Sequence, residues 1–236
     1  MAPKKLEWSW LLYSLFGLIT FCMPAVAQPA DHPYTFGAIP LSKEEYQSYL
    51  KATPSRERQD LEAALPPAYN VADLGFVTPA KEQGSCGACW AFASVGAMES
   101  KILMSGARPL GSPLDLSEQQ QVSCNLQQLG CRGGWMTAPL FWALPPKPNS
   151  GPLPESVFPY VASDISCHNP AGSQLNYRVN DFYTVPVSIN EFKGSLYKDG
   201  PGLFQFLLME DFIPFWELAP PNSVYKYQYG FIEGWH

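Results

Sequence analysis

Apolar residues recur at helical spacing in the stretch that follows Cys89. Intervals of four, three and four residues predict an amphipathic helix, and Gly106 supplies its C-terminal stop. The apolar positions are Ala91, Val95, Met98 and Ile102. Cys89 therefore lies at the N-terminus of the helix that the sequence predicts most strongly.

Capping boxes, in which a serine is followed three residues later by Glu or Gln, predict the starts of three shorter helices. The pairs are Ser42 with Glu45, Ser117 with Gln120, and Ser188 with Glu191. Thr53-Pro54 opens a further helix that ends before Pro66. A weaker helical stretch begins after Gly134 and runs through Trp142.

A change of pattern near residue 176 predicts strands. The period-two stretch runs from Tyr177 to Val185, and an apolar run from Leu203 to Met209 follows a Gly-Pro-Gly turn. Residues 224–229 are again β-branched and aromatic. The order of elements predicts an α+β fold, with a helical lobe over about 65–175 and a β-rich lobe over about 176–236.

Residues 1–27 have the composition of a secretory signal peptide. Two lysines precede an apolar run from Leu11 to Cys22, and small residues before Gln28 suit a cleavage site. The run is shorter than the roughly 20 apolar residues of a spanning helix, which favours a cleaved signal over a stable membrane anchor. Export implies an oxidising destination, either the medium or a lysosome-like or vacuole-like compartment.

Residues 28–64 differ from the rest of the chain, because they contain ten charged residues and no tryptophan or cysteine. We interpret this segment as a short prosegment, and residues 65–236 as the main domain. The alternative is an N-terminal helical hairpin of the mature protein.

Composition excludes several classes of protein. The 236 residues are 46% hydrophobic, which argues against disorder. The formal net charge is -6, so the chain has no basic surface of the kind that binds nucleic acid or anionic membranes.

The cysteines indicate a reactive thiol. Once Cys22 leaves with the signal peptide, five remain, and an odd number in an exported chain leaves one unpaired. A thiol at a helix N-terminus is stabilised as the nucleophilic thiolate, which favours Cys89, and Gln83 could donate to an oxyanion there. Cys86 and Cys89 could instead be half of a zinc site, a thioredoxin-like redox pair or two structural cysteines.

The run Cys86-Gly87-Ala88-Cys89-Trp90 resembles the active-site motif C-G-[SA]-C-[WY] of papain-like cysteine peptidases of the cathepsin and papain type. Other segments resemble the same family in the same order, over about 65–236. They are Val77-Thr78-Pro79, Leu116-Ser117-Glu118-Gln119-Gln120, Cys124, Gly130-Cys131-Arg132-Gly133-Gly134-Trp135, Phe158-Pro159-Tyr160 and Gly200-Pro201. The resemblance implies a two-lobed papain-like fold, with a helical left lobe followed by an incomplete β-rich right lobe.

The resemblance also implies roles for individual residues. Cys89 would be the nucleophile, His236 the base and Gln83 the side chain of the oxyanion hole; His236 lies 147 residues after Cys89, within the family's range of roughly 130–150. The substrate-binding residues would be Gly133, Gly134, Trp135 and Met136, and the disulfides would be Cys86–Cys131 and Cys124–Cys167.

The implied activity is hydrolysis of peptide bonds through an acyl-thioester, without a metal or cofactor. Polypeptide substrates and protein inhibitors of cysteine peptidases are the expected partners. The family's orienting Asn and closing strands should follow the histidine, so we expect the chain to be C-terminally incomplete and its last residue to be poorly anchored. The alternatives are a non-catalytic remnant that binds peptides or inhibitors, and a CxxC thiol oxidoreductase.

Overall fold

The computed structural model describes residues 36–53, 55, 65–143, 151–180, 182–186, 188–220, 223–228 and 230–236. The predicted signal peptide and the helix expected after Thr53 lie outside the described residues. The helices are α1 (Lys43–Ala52), α2 (Cys89–Met104), α3 (Glu118–Cys124), α4 (Ile189–Lys198) and α5 (Phe212–Leu218). The strands are β1 (Leu207–Met209) and β2 (Ile232–Trp235). None of these helices is long and apolar enough to cross a bilayer.

Helix α2 is the centre of the described fold. Its predicted apolar positions are buried, and three of them, Val95, Met98 and Ile102, form a cluster with Leu116 and Trp142. A second cluster lies around Trp90 at the start of the helix and includes Val122 of α3 and Ala138. Since α2 contributes to both clusters, the position of its first residue is fixed by the packing of the whole helical part.

A buried ionic cluster joins the segment before α2 to α2 and α3. The Lys81 ammonium lies 3.4 Å from a carboxylate oxygen of Glu99, 2.8 Å from one of Glu118 and 2.7 Å from one of Asp115. Glu99 also accepts the backbone N–H of Leu116 at 2.7 Å. The buried carboxylates of Glu99 and Glu118 need a partner, and the Lys81 ammonium pairs with both of them and with the exposed Asp115.

All three helices begin directly after their predicted capping serine, and two of the three serines make the side-chain cap. Ser42 and Glu45 form the complete capping box of α1, and the Ser117 side chain accepts the N–H of Gln120 at the start of α3. Ser188 precedes α4 but makes no side-chain cap. The stretch after Gly134 is a short 3-10 helix, Ala138–Trp142, rather than an α-helix.

The β-structure is smaller than the pattern predicts. The two strands pair antiparallel, with Leu207 opposite Trp235 and a bulge after Leu208. The strand expected over 177–185 is wrong for its described residues, which form only isolated bridges such as Ala143 with Val179. Residues 223–228 contain no strand either, and α5 was not predicted. The alternation of apolar and polar residues therefore indicated a half-buried extended segment, but this segment has no neighbouring strand with which to form a sheet.

Candidate active site

Cys89 is the first residue of α2, and the loop before it is held by a disulfide. The Cys86–Cys131 bond leaves Cys89 as the free cysteine of the described chain. The N–H of Gly87 donates to the Cys131 carbonyl at 3.0 Å. Because Cys86 is bonded elsewhere, Cys86 and Cys89 do not form a redox pair in this structure. The second disulfide, Cys124–Cys167, follows α3.

The thiol of Cys89 is buried, and burial raises its pKa. The backbone N–H groups of Gly37, Trp90 and Ala38, and its own, act in the opposite direction and are outweighed. This differs from the expectation that a helix N-terminus makes the group a thiolate. Desolvation of the charged form dominates here, because residues 37 and 38 cover the sulfur.

Gln83 lies in the loop that leads to Cys89. Its side-chain Nε2 donates to the Cys86 carbonyl at 3.2 Å, which orients the carboxamide beside the start of α2. Gln83, Cys89 and His236 all line one cavity of about 430 Å³. Phe92 of α2 and Leu208 and Phe212 of the C-terminal part form apolar walls of this cavity.

His236 is held in place by main-chain pairing and by ring contacts. Its N–H donates to the Phe206 carbonyl at 3.1 Å, and its own carbonyl accepts the Phe206 N–H at 3.0 Å. The imidazole lies edge-on to Phe36 and Phe206. The expectation of a poorly anchored residue 236 is therefore wrong in this structure.

Burial also determines the charge of His236. It lowers the pKa of the imidazole, and Nδ1 is buried without a hydrogen-bond partner among the described residues. Together with the raised pKa of Cys89, this makes the pair a neutral thiol and a neutral imidazole at neutral pH.

Gly134 pairs with a segment from the N-terminal part of the chain. The N–H of Ile39 donates to the Gly134 carbonyl at 2.8 Å, and the N–H of Gly134 donates to the Gly37 carbonyl at 2.7 Å, in a parallel bridge at Ala38. A Cβ at Gly133 would lie 2.7 Å from the Gly37 oxygen, so the segment needs glycine there. Residues 36–39, which we call the cleft segment, thus lie across the first residue of α2.

Trp135 and Met136 follow Gly134 and are half-buried. The N–H of Trp135 donates to Gln128 Oε1 at 2.7 Å, which fixes the strand-like stretch that pairs with the cleft segment. Sequence reasoning missed Gln205, whose Nε2 donates to the Ile39 carbonyl at 3.1 Å. It also missed the cleft segment. No local signal marks either, because both act through contacts between residues far apart in the chain.

No group of three or more His, Cys, Asp or Glu side chains that could hold a metal ion occurs among the described residues. The site consists of one thiol, one imidazole, one carboxamide and backbone N–H groups. These are the components of nucleophilic acyl transfer on a carbonyl carbon.

Comparison with known proteins identifies the family. The family model for the papain family cysteine proteases matches residues 65–216. The chain therefore belongs to the papain family, and its fold is a partial papain-like α+β fold.

Two curated proteins that resemble this chain come from distantly related organisms. A senescence-specific cysteine protease of Arabidopsis thaliana is 34% identical over 142 residues, which are 60% of this chain and 39% of the relative. A cysteine proteinase of Trypanosoma brucei brucei is 33% identical over 195 residues, 75% of this chain and 42% of the relative. The chain spans about two fifths of the length of these curated relatives.

A solved structure shows the same architecture. The digestive procathepsin L2 proteinase of Tenebrio molitor larval midgut superposes with a TM-score of 0.57 at 28% identity. The match covers 78% of this chain and 62% of that chain. That relative is described as a proenzyme.

Proposed function

We propose that this chain contains the catalytic site of a cysteine peptidase in which Cys89 is the nucleophile, His236 the general base and acid, and Gln83 a donor to the oxyanion. The single observation that supports this most is the shared cavity: three side chains separated by up to 153 residues in sequence line one space at the start of α2. The shared cavity is a tertiary feature, independent of the motif.

The proposed reaction begins with transfer of the thiol proton to His236. Sγ attacks the carbonyl carbon of the peptide, and the carbonyl π electrons move to the oxygen, which accepts hydrogen bonds from Gln83 Nε2 and the N–H of Cys89. Collapse of this intermediate expels the amine, which takes the proton from His236, and leaves a thioester. Water then gives a proton to His236 and attacks the thioester carbon; the intermediate collapses to the carboxylic acid and expels the Cys89 thiolate, which takes the proton back from His236.

We also propose that the cleft segment inhibits the site, as part of a prosegment over residues 28–64. Its backbone makes the hydrogen bonds to Gly134 that a substrate backbone would make. It also points the N–H groups of Gly37 and Ala38, rather than a carbonyl carbon, at the Cys89 Sγ. A main chain held in this orientation offers no electrophile to the thiol. The chain would thus be an inactive precursor until the cleft segment is displaced.

The remaining functional statements are proposals of the same kind. The substrates are polypeptides, Trp135 and Met136 border the substrate beyond Gly134, and protein inhibitors of cysteine peptidases are the expected binding partners. Residues 1–27 direct export, and the two disulfides suit an oxidising destination outside the cytoplasm, such as the medium or a lysosome-like compartment.

The test is hydrolysis of a fluorogenic peptide by the chain and by Gly37→Ala. A Cβ at Gly37 would overlap the Gly87 carbonyl, so the variant should displace the cleft segment and raise Cys89-dependent hydrolysis at least tenfold. Gly202→Ala is the matched control, because a Cβ there meets nothing within 4 Å. Cys89→Ala supplies the blank, and His236→Ala should lose at least a hundredfold.

Two results would contradict these proposals. Hydrolysis that survives Cys89→Ala would remove the thiol from the mechanism. If neither the chain nor Gly37→Ala shows hydrolysis above the Cys89→Ala blank, the site is catalytically inert, and a remnant that binds peptides or inhibitors becomes the better description.

A further inference from the structure

Tyr160 makes a long-range hydrogen bond to the loop that carries Gln83. Its hydroxyl donates to the main-chain carbonyl of Gln83 at 2.8 Å, across 77 residues of sequence. Gln83 in turn donates its side-chain Nε2 to the Cys86 carbonyl. The hydroxyl thus holds the backbone of the residue whose side chain is proposed to bind the oxyanion.

The ring of Tyr160 contacts the helix that carries the thiol. It packs edge-on against Phe92, with ring centroids 4.8 Å apart and planes at 90°. Phe92 lies one turn after Cys89 on α2 and lines the cavity of the site. One side chain therefore touches both the Gln83 loop and the Cys89 helix, the two elements whose separation determines the geometry of the oxyanion site.

The main chain around Tyr160 is itself fixed. The N–H of Tyr160 donates to Glu155 Oε1 at 2.7 Å, and the N–H of Val161 donates to Gln119 Oε1 at 3.0 Å. Ala162 has a φ of 51°, a conformation uncommon for a non-glycine residue, and approaches Gly84, the neighbour of Gln83. The backbone that carries the Tyr160 side chain is therefore held in place by hydrogen bonds.

The hydroxyl is present as a donor throughout the pH range in which proteins are studied. Burial, and to a lesser extent the charges of Glu118 and Glu82, raise the pKa of Tyr160 to about 12. A protonated phenol donates to the Gln83 carbonyl, whereas a phenolate would repel it.

We propose that Tyr160 is a positioning residue that sets the distance between Gln83 and Cys89, and so the strength of the oxyanion site. This rests on the proposed function, because it acts through Gln83. Tyr160 lies outside the lining of the cavity and acts on the reaction only through the loop and the helix that it holds.

The test compares Tyr160→Phe with Tyr183→Phe, each in the full chain that also carries Gly37→Ala, so that the cleft segment does not cover Cys89. Phenylalanine keeps the ring that packs on Phe92 and removes only the hydroxyl. Tyr183 is the matched control, since its hydroxyl contacts Ser195 and Asp199 near the end of α4.

The first measurement is the rate at which iodoacetamide alkylates Cys89, which requires no oxyanion donor. The second is protection of Cys89 by the peptide aldehyde acetyl-phenylalanyl-glycinal, which gives a dissociation constant. As the adduct forms, Sγ bonds to the aldehyde carbon, the carbonyl π electrons move to the oxygen, and the thiol proton ends on that oxygen. Formation of the adduct therefore depends on the hydrogen-bond donors that face the oxygen.

We expect Tyr160→Phe to weaken the aldehyde about threefold to tenfold and to change the alkylation rate less than twofold. Tyr183→Phe should change neither. Unchanged aldehyde affinity in Tyr160→Phe, or an equal effect on both measurements, would overturn the positioning role.

Failure of the proposed function gives a different result. If the aldehyde does not protect Cys89 even in the Gly37→Ala chain with both tyrosines intact, the peptidase proposal is contradicted. The positioning role of Tyr160 is then tested by amide hydrogen exchange over residues 83–86, which should be at least threefold faster in Tyr160→Phe than in Tyr183→Phe. Equal exchange rates in the two variants would overturn that role.

Discussion

At the scale of single residues, desolvation decides the protonation states at the site. Burial raises the pKa of Cys89 and lowers that of His236, so each group is driven toward its neutral form. The N–H groups of the cleft segment stabilise a thiolate, but the same segment removes water from the sulfur. The thiol is therefore shielded and less nucleophilic while the cleft segment is in place.

The first prediction concerns the pH dependence of alkylation. In the intact chain, iodoacetamide should label Cys89 slowly at pH 7, and the rate should rise only above the pH at which an ordinary thiol ionises. Gly37→Ala should shift this rise to lower pH. Peptide mapping by mass spectrometry measures both the rate and the site.

The disulfides provide the internal control for this experiment. Cys86, Cys124, Cys131 and Cys167 should remain unlabelled until a reductant is added. Labelling of Cys86 without reductant, or a rate for Cys89 already maximal at pH 6, would contradict the prediction.

The buried carboxylates around Lys81 present a second residue-scale effect. Burial raises the pKa of Glu118 to about 7, although Lys81 acts to lower it. The pKa stays raised because the Lys81 ammonium also pairs with Glu99 and Asp115, and because Glu118 Oε2 is buried without a hydrogen-bond partner among the described residues. The folded chain thus binds this proton more tightly than the unfolded chain.

The second prediction follows from that linkage. Between about pH 4.5, the ordinary value, and about 7, the folded state holds more protons than the unfolded state, so this group makes the free energy of unfolding fall as pH rises. Glu118→Gln should reduce the fall by at most about 1.4 kcal/mol per pH unit. Urea unfolding at several pH values measures the slope, and Glu44→Gln, exposed on α1, is the control. An unchanged slope in Glu118→Gln would refute the assignment.

At the scale of elements, α2 places both Cys89 and one wall of the cavity. Its first turn packs through Trp90, whose Nε1 donates to the Gly130 carbonyl at 3.2 Å and whose ring lies against Gly134. Cys89 and the glycine that pairs with the cleft segment are therefore joined through one side chain. The geometry of the site depends on close contact at Gly134.

The third prediction uses two glycines with opposite surroundings. A Cβ at Gly134 would lie 2.6 Å from the Trp90 ring and from Gln128 Oε1, so Gly134→Ala should lower the free energy of unfolding by about 1–3 kcal/mol. Gly96 lies within α2 with open space around it, so Gly96→Ala should raise it by about 0.5–1 kcal/mol. Urea titrations measure the free energy of unfolding of both variants. A destabilised Gly96→Ala, or a Gly134→Ala of unchanged stability, would contradict this packing around α2.

At the scale of the whole molecule, two disulfides join the segments that surround α2 and α3. Cys124–Cys167 closes a sequence separation of 43 residues and Cys86–Cys131 one of 45. Bonds of this kind stabilise the fold chiefly by restricting the unfolded chain. Of these two bonds, only Cys86–Cys131 lies beside Cys89, so the two should differ in their effect on the site.

The fourth prediction separates these effects. The double variant Cys124→Ala with Cys167→Ala should lose about 2–4 kcal/mol in the free energy of unfolding and keep the alkylation rate of Cys89. The double variant Cys86→Ala with Cys131→Ala should lose a similar amount and also change that rate. Equal rates in the two double variants would show that Cys86–Cys131 does not shape the site.

Local chemistry made several features of this protein predictable. The apolar spacing after Cys89 indicated α2, the serine caps at Ser42 and Ser117 indicated α1 and α3, and the motif around Cys89 indicated the family. Each depends on residues within one or two turns of each other, where side-chain and backbone sterics act directly. The expected strand from Tyr177 failed because alternation records burial on one face, whereas a strand also needs a neighbour.

The sequence by itself determined the place of Cys89 at a helix N-terminus and the family to which the chain belongs. Only the tertiary structure decided that the cleft segment covers Cys89, that residue 236 is anchored by pairing with Phe206, and that Tyr160 reaches Gln83. These contacts join residues that lie 30 to 77 positions apart in the chain. Their free energy depends on where packing brings distant backbone donors and acceptors together, and no local pattern encodes that distance.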